Sequence, residues 1–324
     1  MPVRSPRVPS CSAESRHFPP PAAPPSGVRD ALRTARPLAR WCRAAALILP
    51  LAVAACAGGP PAATTATRAY REAPLPYPPS AKQRIVRFAE EEWQEWGGIT
   101  VLSGEKRPPS HAPGPESSLS NFPRVLAYWR AVDGDSAIID RNRDRYAAAL
   151  AGAATTPWSE PAWSAAFISW VMRSAGVGYR EFPGNAAHAF YLDALLTDAQ
   201  DFPATAPFVP HDPASYVPVP GDLVCGDRSR RPLLSWQQRM GEIGQFRPTH
   251  CDIVVRASAT EVDVVGGNVA DAVTMTRLLA DGTGRLLPRP PGEPTTFAVM
   301  EDRLGSLPPF ATTAAPLSLG VPGS

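Results

Sequence analysis

No internal repeat with a period of roughly 20–50 residues is visible, so solenoid and propeller arrays are set aside. G-x-S-x-G, P-loop and H-E-x-x-H patterns are absent as well, which removes the common serine-esterase, phosphate-loop and zincin classes. Asp133-x-Asp135 and Asp140-x-Asn142-x-Asp144 look briefly like calcium loops. Neither has the turn glycine or the closing glutamate that such loops need, so both read as solvated acidic turns. No metal or cofactor is indicated. The apolar run Ala44 to Ala55 is too short to span a bilayer as a stable anchor. Basic charge is lacking where a nucleic-acid binder would need it, since no stripe of Lys and Arg remains once the N-terminal leader is taken away.

A hydrophobic share of 44% is ordinary for a chain with a real core and excludes disorder of the whole. Of the 40 prolines, 24 crowd into the first 80 and the last 40 residues, where Pro-Ala-Thr-Ser runs cannot bury enough apolar surface to fold. The folded part is therefore expected between residues 80 and 302, with a disordered tail at 303–324.

Arg33, Arg36, Arg40 and Arg43 precede the apolar run, with no acidic residue after Asp30, which is the charge pattern of an export leader. Val53-Ala54-Ala55-Cys56 follows and resembles the lipobox of bacterial lipoproteins, in which a signal peptidase cuts before a diacylated cysteine. The alternatives are an ordinary signal peptide cut at an A-x-A-like site, or a buried helix. A leader of residues 1–55 is long, which suggests that translation begins near Val28. Of 32 basic and 30 acidic residues the leader holds 8 and 2, leaving 24 against 28 and a net charge of −4 in place of +2. The resemblance implies membrane attachment through Cys56 and a domain facing the periplasm. Ala57 after the cysteine looks like an outer-membrane sorting signal. Residues 56–79 read as a Pro/Ala-rich tether reaching roughly 50–70 Å at about 3 Å per residue.

Ser80-x-x-Gln83 has the capping-box form, and Ile85, Phe88, Ala89, Trp93 and Trp96 follow at helical spacing, predicting a helix over 81–96. The segment to Ser120 reads as loop, and 123–132 and 141–150 as helices. Trp163 to Ala175 carries the clearest helical pattern, with Ser159-Glu160-Pro161 before it and Gly176 after it. Another helix is expected over 186–196. After Pro220-Gly221 the period changes, and 222–225, 252–256, 261–265 and 273–279 read as short β-branched strands. Helices first and antiparallel strands afterwards define an α+β domain. The tryptophans, Trp93, Trp96, Trp158, Trp163 and Trp170 among them, are core residues first, one or two of them able to line a sugar or peptide groove.

Four segments occur in an informative order: W-S-A-A-F-I-S-W at 163–170, P-G-D-L-V at 220–224, T-H-C-D-I-V-V at 249–255 and V-V-G-G-N at 264–268. In that order they resemble the CHAP and related papain-like cell-wall amidases, and most closely an uncharacterised bacterial family, domain of unknown function 2272. The resemblance runs from about Trp158 to Thr276. It implies a papain-like fold with N-terminal helices packed on a small antiparallel sheet. It puts Ser164 where those amidases keep a cysteine nucleophile, His250 where they keep the base, and Asn268 where they keep the residue that orients the base. His188, Trp163 and Asp252 stand as supporting side chains, His188 sharing a helical face with Tyr191.

The departure at Ser164 matters, because a thiol ionises beside an imidazolium whereas a serine hydroxyl must lose its proton during attack. Each residue also has a plainer reading: Ser164 as a small helical residue in a relict site, His250 as a structural histidine, Asn268 as a turn residue after two glycines. Cys251 cannot join His250, since successive side chains on a strand face opposite ways. Cys225 and Cys251 are either a disulfide or two buried thiols. Two functions follow: hydrolysis of an amide or ester bond in peptidoglycan or a related envelope substrate, or an envelope module that binds or scaffolds without turnover.

Overall fold

The computed structural model describes residues 73–105, 115–132, 136–154 and 161–307. The leader, Cys56, most of the tether, the end of the tail, and Asp133, Asp135, Trp158, Ser159 and Glu160 lie outside them. Six helices and seven strands are described: α1 (Ser80–Glu95), β1 (Thr100–Leu102), α2 (Phe122–Trp129), α3 (Ser136–Leu150), α4 (Ser164–Ser174), α5 (His188–Asp201), β2 (Phe208–His211), β3 (Leu223–Asp227), α6 (Trp236–Met240), β4 (Thr249–Ala257), β5 (Glu261–Val269), β6 (Ala272–Leu279) and β7 (Thr295–Asp302), with a 3-10 turn at Pro115–Ser117. Among the described residues no helix is long and apolar enough to cross a membrane.

The architecture is α+β with a mixed sheet. The seven strands are ordered β1-β6-β5-β4-β3-β7-β2. Every neighbouring pair is antiparallel except β1 on β6. The sheet is larger than the four strands read from sequence. β7 is a new neighbour of β3, and β2 lies at the edge, where Pro210 is tolerated because an edge strand has donors to spare.

Side-chain alternation sorts the sheet into two faces. Leu223, Cys225, Cys251, Ile253, Val255 and Val265 join the main core together with α1, α2, α4 and α5. Val224, Val254, Val262, Val264 and Val299 form a smaller cluster on the other face. α4 is the central helix, packed by α1 and α2 on one side and by β4 and β5 on the other. Phe167, Ile168, Val171 and Met172 are all buried, each contributing about 1.5–3 kcal/mol.

Several local expectations are corrected. Ser80 is the first residue of α1 rather than its cap, and its Oγ accepts a hydrogen bond from Arg84 Nη1 at 2.7 Å. α3 begins at Ser136, so Asp140, Asn142 and Asp144 lie in a helix, not an acidic turn. Gly266-Gly267-Asn268 is strand, not turn: the turn comes later, at Ala270 and Asp271, whose φ values of 53° and 58° make a two-residue type I′ connection to β6.

The described residues flanking 80–302 are held too. Leu75 N–H and the Tyr77 hydroxyl donate to the buried Glu181 carboxylate at 2.8 and 2.9 Å. Leu304 and Leu307 are buried behind β7.

Candidate functional site

Trp163 fixes where α4 begins. Its indole stacks on Trp96 at 5.3 Å and packs on Tyr128 at 5.4 Å, and its Nε1–H donates to Glu116 Oε2 at 2.7 Å. Ser164 follows as the first helical residue, 8% exposed, where backbone N–H groups and the helix dipole favour negative charge.

The side chain that meets Ser164 is His188, the first residue of α5. Its Nε2 lies 2.7 Å from Ser164 Oγ, and its Nδ1 lies 2.5 Å from the Tyr191 hydroxyl. Nδ1 also receives the Cys251 backbone N–H at 3.3 Å. That N–H is available because the pairing of β4 with β5 begins only at Ile253, opposite Val265. A backbone N–H can only donate, so the network is fully satisfied when Nδ1 accepts and the ring proton sits on Nε2. Tyr191 then donates to Nδ1, and Nε2–H donates to Ser164. Burial pushes the His188 pKa well below the usual imidazole value, with His250 adding to the fall, so the ring is neutral at neutral pH. Burial, helped by Asp252, drives the Tyr191 pKa well up and keeps its hydroxyl protonated.

His250 and Asp252 share one face of β4 and form a second pair, Nε2 to Oδ1 at 2.9 Å. Burial opposes the Asp252 charge, but His250 and then Arg289 outweigh it and hold the carboxyl at about 2. The Arg289 guanidinium is 3.7 Å from Oδ2. An ionised carboxylate only accepts, so His250 Nε2 carries the donated proton, and Nδ1 is left buried with no partner among the described residues. The His188 and His250 rings are 5.1 Å apart, centre to centre.

The grouping of Ser164, His250 and Asn268 is therefore corrected. Cys251, Ile253 and Val255 are the β4 side chains that face the helix layer, which turns His250 and Asp252 away from α4. The hydrogen bond to Ser164 comes from His188, placed among the supporting residues by sequence. Asn268, with a φ of 56° at the bulge, gives its Nδ2 to Glu116 Oε2 at 2.8 Å instead of holding an imidazole. Glu116 thus ties the start of α4 to β5, and burial, resisted by Trp163, raises its pKa. Nothing in the sequence marks Glu116, Arg228 or Arg289. The three-residue spacing of His188 and Tyr191 was the visible signal of that pair.

Two cavities meet here. One of about 250 Å3 is lined by Ser164, His188, Arg228, Phe246 and Thr249. The other, about 430 Å3, is lined by His250, Asp252, Asn268, Thr276, Arg228 and Arg289. Ala162 and Arg228 border both. Phe246, 69% exposed, leans on Phe190 at 6.4 Å and gives the first cavity an aromatic rim. A larger cavity of about 490 Å3 runs along α1 past Lys82, Val86 and Leu304 and holds none of these groups. Among the described residues no three His, Cys, Asp or Glu side chains are placed to hold a metal ion. Cys225 and Cys251 are joined by a disulfide between the paired strands β3 and β4.

An α+β domain with a serine at the head of one buried helix, a histidine at the head of another and a second histidine on the adjoining strand is the class that fold and site define. The chain belongs to the DUF2272 family, described as an uncharacterized protein conserved in bacteria, whose model matches residues 116–301. No curated protein and no solved structure matches it.

Proposed function

We propose that this is a cell-envelope lipoprotein whose papain-like domain binds peptidoglycan or a related envelope ligand in the Ser164 cleft without turning it over. The observation that carries this reading is that the Cys251 N–H and the Tyr191 hydroxyl converge on His188 Nδ1, which puts the ring proton on Nε2, the atom facing Ser164. With Cys251 N–H and the Tyr191 hydroxyl both donating to Nδ1, the imidazole gives a proton to Ser164 rather than taking one. A general base needs the opposite tautomer. The papain-like reading is supported by α4, with Ser164 as its first residue, packing against β4 and β5 in the chain order of the amidases. The aromatic rim of Phe246 and Phe190 offers a face for a sugar ring or an apolar side chain.

Hydrolysis through Ser164 and His188 is the second reading, favoured by the 2.7 Å contact at a helix N-terminus. One experiment separates them: the full chain is sedimented with purified sacculi and treated in parallel with a fluorophosphonate probe, as wild type and as Ser164→Ala. Binding predicts co-sedimentation of both forms, no soluble fragments and no labelling. Labelling of the wild type that Ser164→Ala abolishes, together with released fragments, establishes hydrolysis. A chain that stays in the supernatant overturns the peptidoglycan ligand. Membrane attachment is tested by labelled palmitate, which should enter the wild type and not Cys56→Ala.

A further inference from the structure

The unpaired ring nitrogen of His250 points to a site distinct from Ser164. His250 is 6% exposed, its Nε2–H is engaged by Asp252, and Nδ1 is buried without a partner among the described residues. Buried polar atoms are nearly always paired, so one left over at a cavity wall marks a place for a water or a ligand atom. The cavity it lines is also walled by Arg228, Arg289, Asn268, Asp271 and Thr276. Arg228 is exposed, and its side chain makes no hydrogen bond or ion pair among the described residues. The charged and titratable groups around His250 and its cavity are Asp252 on its own strand, His188 from α5, Arg228 after β3, Asp271 from the β5–β6 turn, and Arg289 before β7.

Arg228 and Arg289 balance Asp252 and Asp271 before anything binds. A monoanion facing Nδ1 has to be met by an N–H, so His250 takes up a proton and the site stays neutral. A dianion such as phosphate would leave one negative charge uncompensated beside two aspartates, and a cation would face two guanidinium groups. We propose that this pocket receives a carboxylate group, bound by Nδ1–H of protonated His250 and by the Arg228 fork, with the Asn268–Arg289 wall closing around it. Small organic acids and peptide C-termini share this chemistry. The site does not depend on whether Ser164 reacts, and labelled Ser164 would leave it standing.

The test uses the full chain in detergent with histidine-selective isotope labelling, titrated with acetate and, as the rival anion, inorganic phosphate. Calorimetry in buffers of different ionisation enthalpy runs beside it. Acetate should shift the His250 ring resonances saturably, bind with proton uptake, and weaken as pH rises. Arg228→Ala should weaken it about tenfold or more, the usual cost of a lost charged hydrogen bond. A peptide with a free C-terminus that binds while its amide does not assigns a peptide terminus as the source; acetate alone assigns a small acid. No saturable effect of acetate, tighter binding of phosphate, or binding without proton uptake would overturn the proposal.

Discussion

Asp302 ends β7 with one carboxyl oxygen taking the Leu304 N–H at 2.7 Å and the other buried without a partner among the described residues. Burial drives its pKa from 3.8 to about 8, Lys82 pulling against the rise and Asp222 and Glu301 adding to it. Between those values the folded chain holds a proton that the unfolded chain has lost. The stability this contributes is complete below the lower value and disappears as pH climbs to the upper one. In urea titrations the wild type should lose stability relative to Asp302→Asn across that window, and parallel curves would refute the assignment. His188 gives a second prediction at this scale. Long-range nitrogen–proton NMR should show Nε2 protonated and Nδ1 bare at neutral pH; a proton on Nδ1 would restore His188 as a base for Ser164. Sequence could place His188 and Tyr191 on one helical face, but the Cys251 N–H that sets the tautomer belongs to a strand 63 residues away.

The β5 strand brings the two halves of the site together through glycines. A Cβ at Gly266 would lie 1.9 Å from Asp252 Oδ1, and one at Gly267 would lie 2.6 Å from Phe167 Cβ and 2.8 Å from the Trp163 ring. Gly266→Ala should displace Asp252 and disturb the His250 pair, and Gly267→Ala should push β5 off α4. Each is expected to cost about 1–3 kcal/mol in chemical denaturation, the usual penalty of overpacking, and a cost near zero would show that the strand yields. Gly-Gly-Asn reads as a turn because its composition is that of turns. Its actual role is close approach, a property of neighbours that local composition does not contain. The helices α1, α2 and α4 were legible to within a few residues, because apolar spacing records the buried face directly. β1, β2 and β7 were not: three and four residues are too short for a period, and β7 needed β2 and β3 as partners to be recognised.

The disulfide between Cys225 and Cys251 crosses adjacent strands of one domain and closes a 26-residue separation. Reduction, or Cys225→Ala with Cys251→Ala, should cost about 3–4 kcal/mol by the chain-entropy account. Because Cys251 also supplies the N–H to His188, the double variant should alter the His188 resonances as well, while unchanged stability and spectra would show that the bond is dispensable. The α+β class, the central helix with Ser164 at its head, and the middles of the two strands that carry His250 and Asn268 were legible in the sequence, through hydrophobic period and the order of four short segments; that β4 reaches back to His250 and β5 on to Asn268 was not. The partners of those residues were decided only by tertiary structure. Which face of β4 meets the helices, where β5 bulges, and that Glu116 reaches both Trp163 and Asn268 depend on register and packing between distant segments. A one-residue change of register reverses every side chain on a strand, so the pairing of Ser164 with His188 rather than His250 is a tertiary fact.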